Sequence, residues 1–93
     1  MLPEEQTAIL KRLRSAEGQL DAVIGMVETE QNCEKVLHQL HAVEAAIQAS
    51  GRHLLKCQLK QSIKIVSQHP SLEIRNAEIE RLVDLYHFLL RFT

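Results

Sequence analysis

The chain has 93 residues, of which 45% are hydrophobic and 25% charged, with 11 Lys and Arg against 12 Asp and Glu for a formal net charge of -1. That length bounds it to one domain with a small core, for which oligomerisation offsets the shortage of buried surface. No apolar run approaches the roughly 18 residues of a membrane span, and the near-neutral balance gives no global attraction to nucleic acid, so any such binding must come from local patches. The start MLPEEQTAIL lacks the basic and apolar segments of a secretion signal, which points to the cytoplasm and to cysteines that are reduced, metal-binding or redox-active rather than bridged.

Pro3 at a first helical position, followed by Glu4 and Glu5, opens a helix expected over about 4–28. Ile9, Leu13, Ala16, Leu20, Val23 and Val27 recur in steps of three and four along it, so it is amphipathic. Its early turns carry Lys11, Arg12 and Arg14. After a short polar break, Asn32 is a good N-cap for a second helix over about 33–67, which places Cys33 in its first turn, a position where reactive thiols occur.

Along this second helix Cys33, Val36, Leu40, Val43, Ile47, Ser50, Leu54 and Cys57 share one face. At about 1.5 Å per residue the two thiols lie roughly 36 Å apart and cannot meet within one copy. A second copy packed antiparallel, crossing near Ala45, brings Cys33 of one chain near Cys57 of the other. The small residues Ala45, Ala46, Ala49 and Gly51 permit that approach, and close packing accounts for a glycine in mid-helix. Arg52, Lys56, Lys60 and Lys64 follow at every fourth position as a basic stripe. His69, Pro70 and Ser71 end the helix. A third helix is expected over about 77–91 with Asn76 as its cap and Glu78 and Glu80 in its first turn, although Ser71 also qualifies as a cap. No strand pattern, repeat or low-complexity segment interrupts this three-helix, all-α plan.

Cys33 and Cys57 suit reaction with an electrophile, a reversible disulfide or persulfide between subunits, or a soft metal; the plain alternative, strongest for Cys57, is a small buried hydrophobe. His53 and Cys57, four apart, can ligate one ion, and with Cys33 of a second chain they make a set suited to Cu(I) or Zn(II). His38 and His41, three apart, are a weaker pair, and His69 and His87 are isolated. The basic residues Lys11, Arg12, Arg14, Arg52, Lys56, Lys60 and Lys64 are placed to contact DNA phosphates, against the alternative of a solvated face. No Gly-rich phosphate loop and no nucleophile paired with a base is present, so the chain does not read as an enzyme.

The segments RLRSAEGQL (12–20), NCEKVLHQLHAVEAAI (32–47) and GRHLLKCQL (51–59) resemble the CsoR/RcnR family of bacterial repressors over most of the chain. The resemblance implies an all-helical protomer, an antiparallel dimer with a four-helix-bundle core, and a dimer of dimers. It also implies operator DNA binding without a helix-turn-helix and release by an inducer at an intersubunit cysteine site, with Cys33 as the sensing cysteine. Copper sensors of the family complete that site with a histidine and a cysteine from the partner's second helix, and these positions are Gln58 and Ser62 here. His53 and Cys57 reproduce the histidine-cysteine spacing about five residues early, and Glu44 stands where other members often carry a basic residue. Three readings follow: a repressor sensing a persulfide, oxidant or electrophile at Cys33; a Cu(I) or Zn(II) sensor or buffer built from Cys33, His53 and Cys57; and a helical interaction module without an inducer response.

Overall fold

Three helices, α1 (Pro3–Glu28), α2 (Cys33–Gln68) and α3 (Leu72–Leu90), make up nearly all of the computed structural model, which describes residues 1–90. No strand occurs among the described residues, and no helix of theirs is long and apolar enough to cross a membrane. The chain divides into two compact units, Met1–Leu55 and a second that runs from Lys56 through α3.

The first unit is a helical hairpin. Pro3 starts α1 and the Glu5 carboxylate accepts from the Leu2 N–H at 3.3 Å. The helix stops in a paired arrangement in which the Gln31 N–H reaches Met26 O at 3.0 Å and the Glu30 N–H reaches Val27 O at 3.1 Å. That closure requires a left-handed residue, and Glu30 supplies it at φ 55, where glycine is the usual occupant. Glu30→Gly is therefore expected to raise stability by about 1 kcal/mol, read as a higher urea midpoint at unchanged m-value.

Two residues on, the Asn32 carboxamide oxygen accepts from the Glu34 N–H at 2.9 Å and from the Lys35 N–H at 3.3 Å, the N-cap that the sequence reads. Asn32→Ala is expected to cost about 1 kcal/mol in the same measurement. Ile9, Ala16 and Val23 on α1, and Val43 and Ser50 on α2, are the buried residues of this hairpin. Their seven-residue intervals are those of two helices packed side by side.

The apolar face expected along α2 is only partly covered. Val43, Ser50 and Cys57 are buried, whereas Leu40, Ile47 and Leu54 are exposed, as is Cys33. Burial thus separates the seven-residue line Val43, Ser50 and Cys57 from the line Leu40, Ile47 and Leu54 within one apolar stripe. Gly51 is not explained within the protomer. A Cβ built there meets nothing within 4 Å, so packing inside the protomer does not require the glycine.

In the second unit the last turns of α2 meet α3 through a short connection. The His69 Nδ1 accepts from the Ser71 N–H at 3.0 Å. The Ser71 hydroxyl accepts from the Ile74 N–H at 3.3 Å. Ser71 rather than Asn76 thus caps α3, which begins at Leu72 instead of 77; position 91, its expected end, lies outside the described residues. The Arg75 Nε donates to Val66 O at 2.7 Å and so satisfies a carbonyl of the last turns of α2.

Candidate functional site

Cys33 is the first residue of α2 and is exposed. The Asn32 cap fixes the backbone on either side of it, so the thiol is held on a rigid helix start rather than on a wandering loop. Glu34 and His38, one turn apart, lie 3.9 Å from each other on the solvent side, and both side chains are largely exposed.

The second unit contains a chain of polar groups that the sequence pattern does not reveal. The Gln58 Nε2 donates to the Ser62 Oγ at 3.1 Å, and the Ser62 hydroxyl donates to the Glu78 carboxylate at 2.5 Å. The same Glu78 Oε1 lies 3.4 Å from the Arg81 Nε. Ser62 is 0% exposed, and the Glu78 side chain only 11%. A carboxylate so far from water needs donors, and the serine hydroxyl and the guanidinium provide them. Every buried side-chain N and O among the described residues has a partner. The sequence sets Glu78 in the first turn of α3, as a complement to the helix dipole. With α3 beginning at Leu72, it sits instead in mid-helix facing α2. The usable signal is the spacing of Arg75, Glu78, Leu82, Leu85 and Leu89 in threes and fours, one stripe that mixes charged with apolar residues.

Gln58 and Ser62 are the positions where the resemblance expects a histidine and a cysteine. An amide and a hydroxyl already bonded to each other and to a carboxylate are hard donors, and they do not fit a soft ion such as Cu(I). Cys57, 5% exposed, has the surroundings of a packed thiol. His53 is half-buried in the first unit. Among the described residues, no group of three or more His, Cys, Asp or Glu is gathered to hold a metal within one chain. A set shared between two chains requires the second copy.

Beside the polar chain, Gln58, Arg81, Leu82, Asp84, Leu85 and Phe88 line an open groove of about 400 Å³. The basic residues Lys11, Arg12 and Arg14 on α1, Arg52 in the first unit, and Lys56, Lys60 and Lys64 in the second are all exposed. Each can therefore meet an outside anion without unfolding of the chain. No aromatic residue interleaves them in the sequence, so they offer exposed positive charge but no stacking platform for single strands.

Residues 5–87 match the model of a family described as metal-sensitive transcriptional repressor. The chain is 37% identical over 54 residues to the copper-sensing transcriptional repressor CsoR of Mycobacterium ulcerans, which covers 58% of this chain and 46% of that protein. Against the copper-sensing transcriptional repressor CsoR of Mycobacterium tuberculosis it is 29% identical over 89 residues, 94% of this chain and 71% of that protein. The corresponding values for the CsoR of Bacillus subtilis are 38% over 53 residues, 57% and 52%. The chain thus spans about half the length of the first and last of these relatives. Among solved structures, a variant of the formaldehyde-responsive regulator FrmR of Salmonella enterica serovar Typhimurium superposes with a TM-score of 0.77 at 26% identity, covering 92% of this chain and 94% of that one.

Proposed function

The chain belongs to the metal-sensitive transcriptional repressor family, and from that premise we propose that its 93 residues form one three-helix domain of a DNA-binding repressor whose inducer acts at Cys33. The inducer in this reading is a thiol-reactive species, a persulfide, an oxidant or an electrophile, rather than a conventionally ligated metal. The observation that carries it is the Gln58–Ser62–Glu78 chain. The positions expected to hold soft ligands are occupied by hydrogen-bonded hard donors, while the thiol at the helix start is exposed.

With a persulfide the thiolate of Cys33 attacks the sulfane sulfur and expels a thiolate, leaving Cys33 as a persulfide. Cys57 of the partner subunit is the candidate resolving thiol: its attack closes a disulfide and releases hydrogen sulfide. Modification at the α2 start then biases a two-state assembly away from the arrangement that aligns the basic faces with DNA. The assembly proposed is a homo-oligomer, an antiparallel dimer that pairs again.

The test is a gel shift with DNA from upstream of the protein's own coding region, with and without a persulfide donor. A specific, salt-sensitive complex that disappears on treatment is expected, and absence of any specific complex sinks the reading. Replacing Arg12 and Arg14 by glutamine should weaken binding and lower the slope of log K against log salt by about 1 for each phosphate no longer neutralised.

The copper-sensing relatives favour a second reading, in which Cys33, His53 and Cys57 from two chains bind Cu(I) or Zn(II) as a sensor or buffer. Anaerobic Cu(I) titration separates the two. Tight binding abolished in both His53→Ala and Cys57→Ala supports the metal reading, and no tight binding ends it.

A further inference from the structure

Between the end of α2 at Gln68 and the start of α3 at Leu72, the connection is His69, Pro70 and Ser71. A relay of hydrogen bonds closes it. His69 donates its own N–H to Ile65 O at 3.1 Å, so its backbone continues the last turn of α2. Pro70 has no N–H, and the next donor along the chain is the Ser71 N–H, which lies before α3 begins. Its acceptor is the His69 Nδ1 at 3.0 Å. The imidazole thus bonds the amide two residues on, as the side-chain oxygen of Asn or Asp does in an Asx turn. Ser71 passes the constraint forward: its hydroxyl accepts from the Ile74 N–H at 3.3 Å and its carbonyl from the Arg75 N–H at 3.1 Å. Arg75 returns to α2 by donating to Val66 O at 2.7 Å. One turn beyond Arg75 on the same helix stands Glu78, the carboxylate bonded to Ser62.

An imidazole nitrogen accepts a hydrogen bond only when it carries no proton. His69 in this arrangement is therefore the neutral ring with its hydrogen on Nε2. A proton added at Nδ1 turns the acceptor into a donor and sets two N–H groups against each other. His69 is half-buried, so the charged ring has a short path to water, and the Ser71 N–H then loses its partner in the protein. The charged groups on the two elements that meet here are Lys64 near the end of α2 and Glu73, Arg75 and Glu78 near the start of α3. Lys64 and Glu73 are exposed, Arg75 is held by Val66 O, and Glu78 is held by Ser62 and Arg81. Among the described residues none of these carboxylates is ion-paired with His69. The end of α2 favours a positive charge at His69 and the start of α3 disfavours one, effects of similar size and opposite sign. The hydrogen bond to Ser71 decides between them.

We propose that His69 is a proton-sensitive clasp between α2 and α3. The neutral ring ties down the first turn of α3, and proton uptake at Nδ1 releases that turn and loosens the seat of Glu78 beside Ser62. Because the bonded form is the neutral one, the clasp is closed above the ordinary imidazole range, about pH 6.5, and opens as pH falls through it.

The experiment reads the ring and the helix start separately. Proton–nitrogen NMR of the imidazoles at pH 8 gives the His69 tautomer. Hydrogen exchange at the Ile74 and Arg75 amides, corrected for the intrinsic effect of pH on exchange, gives the opening of the first turn of α3 between pH 8 and pH 5.5. His69→Asn places an oxygen where Nδ1 lies, with no proton to gain in this range, whereas His69→Gln carries its amide out to where Nε2 lies and misses the Ser71 N–H. The expected result is a hydrogen on Nε2 and an opening that rises about three- to tenfold in the unsubstituted protein on acidification. His69→Asn should stay closed over the whole range, and His69→Gln should already be open at pH 8. Acid effects of other groups appear in His69→Asn as well and are subtracted. A hydrogen on Nδ1 at pH 8 overturns the clasp. So does an opening that follows the same pH course in the unsubstituted protein and His69→Asn, or one in His69→Gln no greater at pH 8 than in the unsubstituted protein.

Discussion

Cys33→Ser is expected to keep full operator affinity and to lose all response to a persulfide donor. In the unsubstituted protein, modification should weaken binding by at least about tenfold, a coupling of about 1.4 kcal/mol. In the variant the treated and untreated binding curves should coincide. Affinity is expected to persist because Cys33 is exposed and buries nothing in its own chain, while the N-cap depends on Asn32 and not on the thiol. Cys57→Ala serves as the contrast. Cys57 is buried, so its removal should lower stability by about 1–3 kcal/mol through the cavity it leaves, and should affect induction only where a disulfide to Cys33 is formed. Fluorescence anisotropy at one fixed salt concentration provides the readout. A Cys33→Ser protein that still releases DNA on treatment would remove Cys33 as the sensor.

The second large effect belongs to the Ser62–Glu78 hydrogen bond. Ser62→Ala deletes the donor to a mostly buried carboxylate and the acceptor of the Gln58 amide in one step, leaving Glu78 to rely on the Arg81 guanidinium. The expected effect is a destabilisation of about 1–3 kcal/mol in urea unfolding, the larger end applying because one partner is charged. Glu78→Ala should cost a similar amount. The double variant should be less destabilised than the sum, since once both are made neither deletion leaves the other residue of the pair without its partner, and the coupling should fall within about 0.5–3 kcal/mol. Strictly additive effects would show that the two side chains act independently.

How much of the fold and site is legible in the sequence depends on the range of the interaction concerned. Pro3 and Asn32 announce their helix starts because capping is settled within one turn of chain. The seven-residue recurrence of Ile9, Ala16 and Val23 likewise identifies a buried face. The stripe from Cys33 to Cys57 marks α2 as amphipathic but does not tell Val43, Ser50 and Cys57, which are covered, from Leu40, Ile47 and Leu54, which are not. Periodicity reports which side chains share a side, not which neighbour arrives there. The start of α3 turns on a choice between Ser71 and Asn76, two equally good caps, decided by the His69 and Arg75 contacts across the connection. The Ser62–Glu78 pair cannot be read locally at all. A serine in the middle of one helix and a glutamate in the next look like ordinary surface residues until the helices are brought together.

Burial of Ser62 also limits how the site can change by mutation. Exchanging its oxygen for sulfur is the smallest step back toward the cysteine that the family resemblance expects, yet a thiol is a weak donor and would leave the Glu78 carboxylate short of a hydrogen bond in a place water hardly reaches. The exchange is therefore expected to be tolerated better once the carboxylate is absent. Glu78 thus makes a hydroxyl a better occupant of position 62 than a thiol.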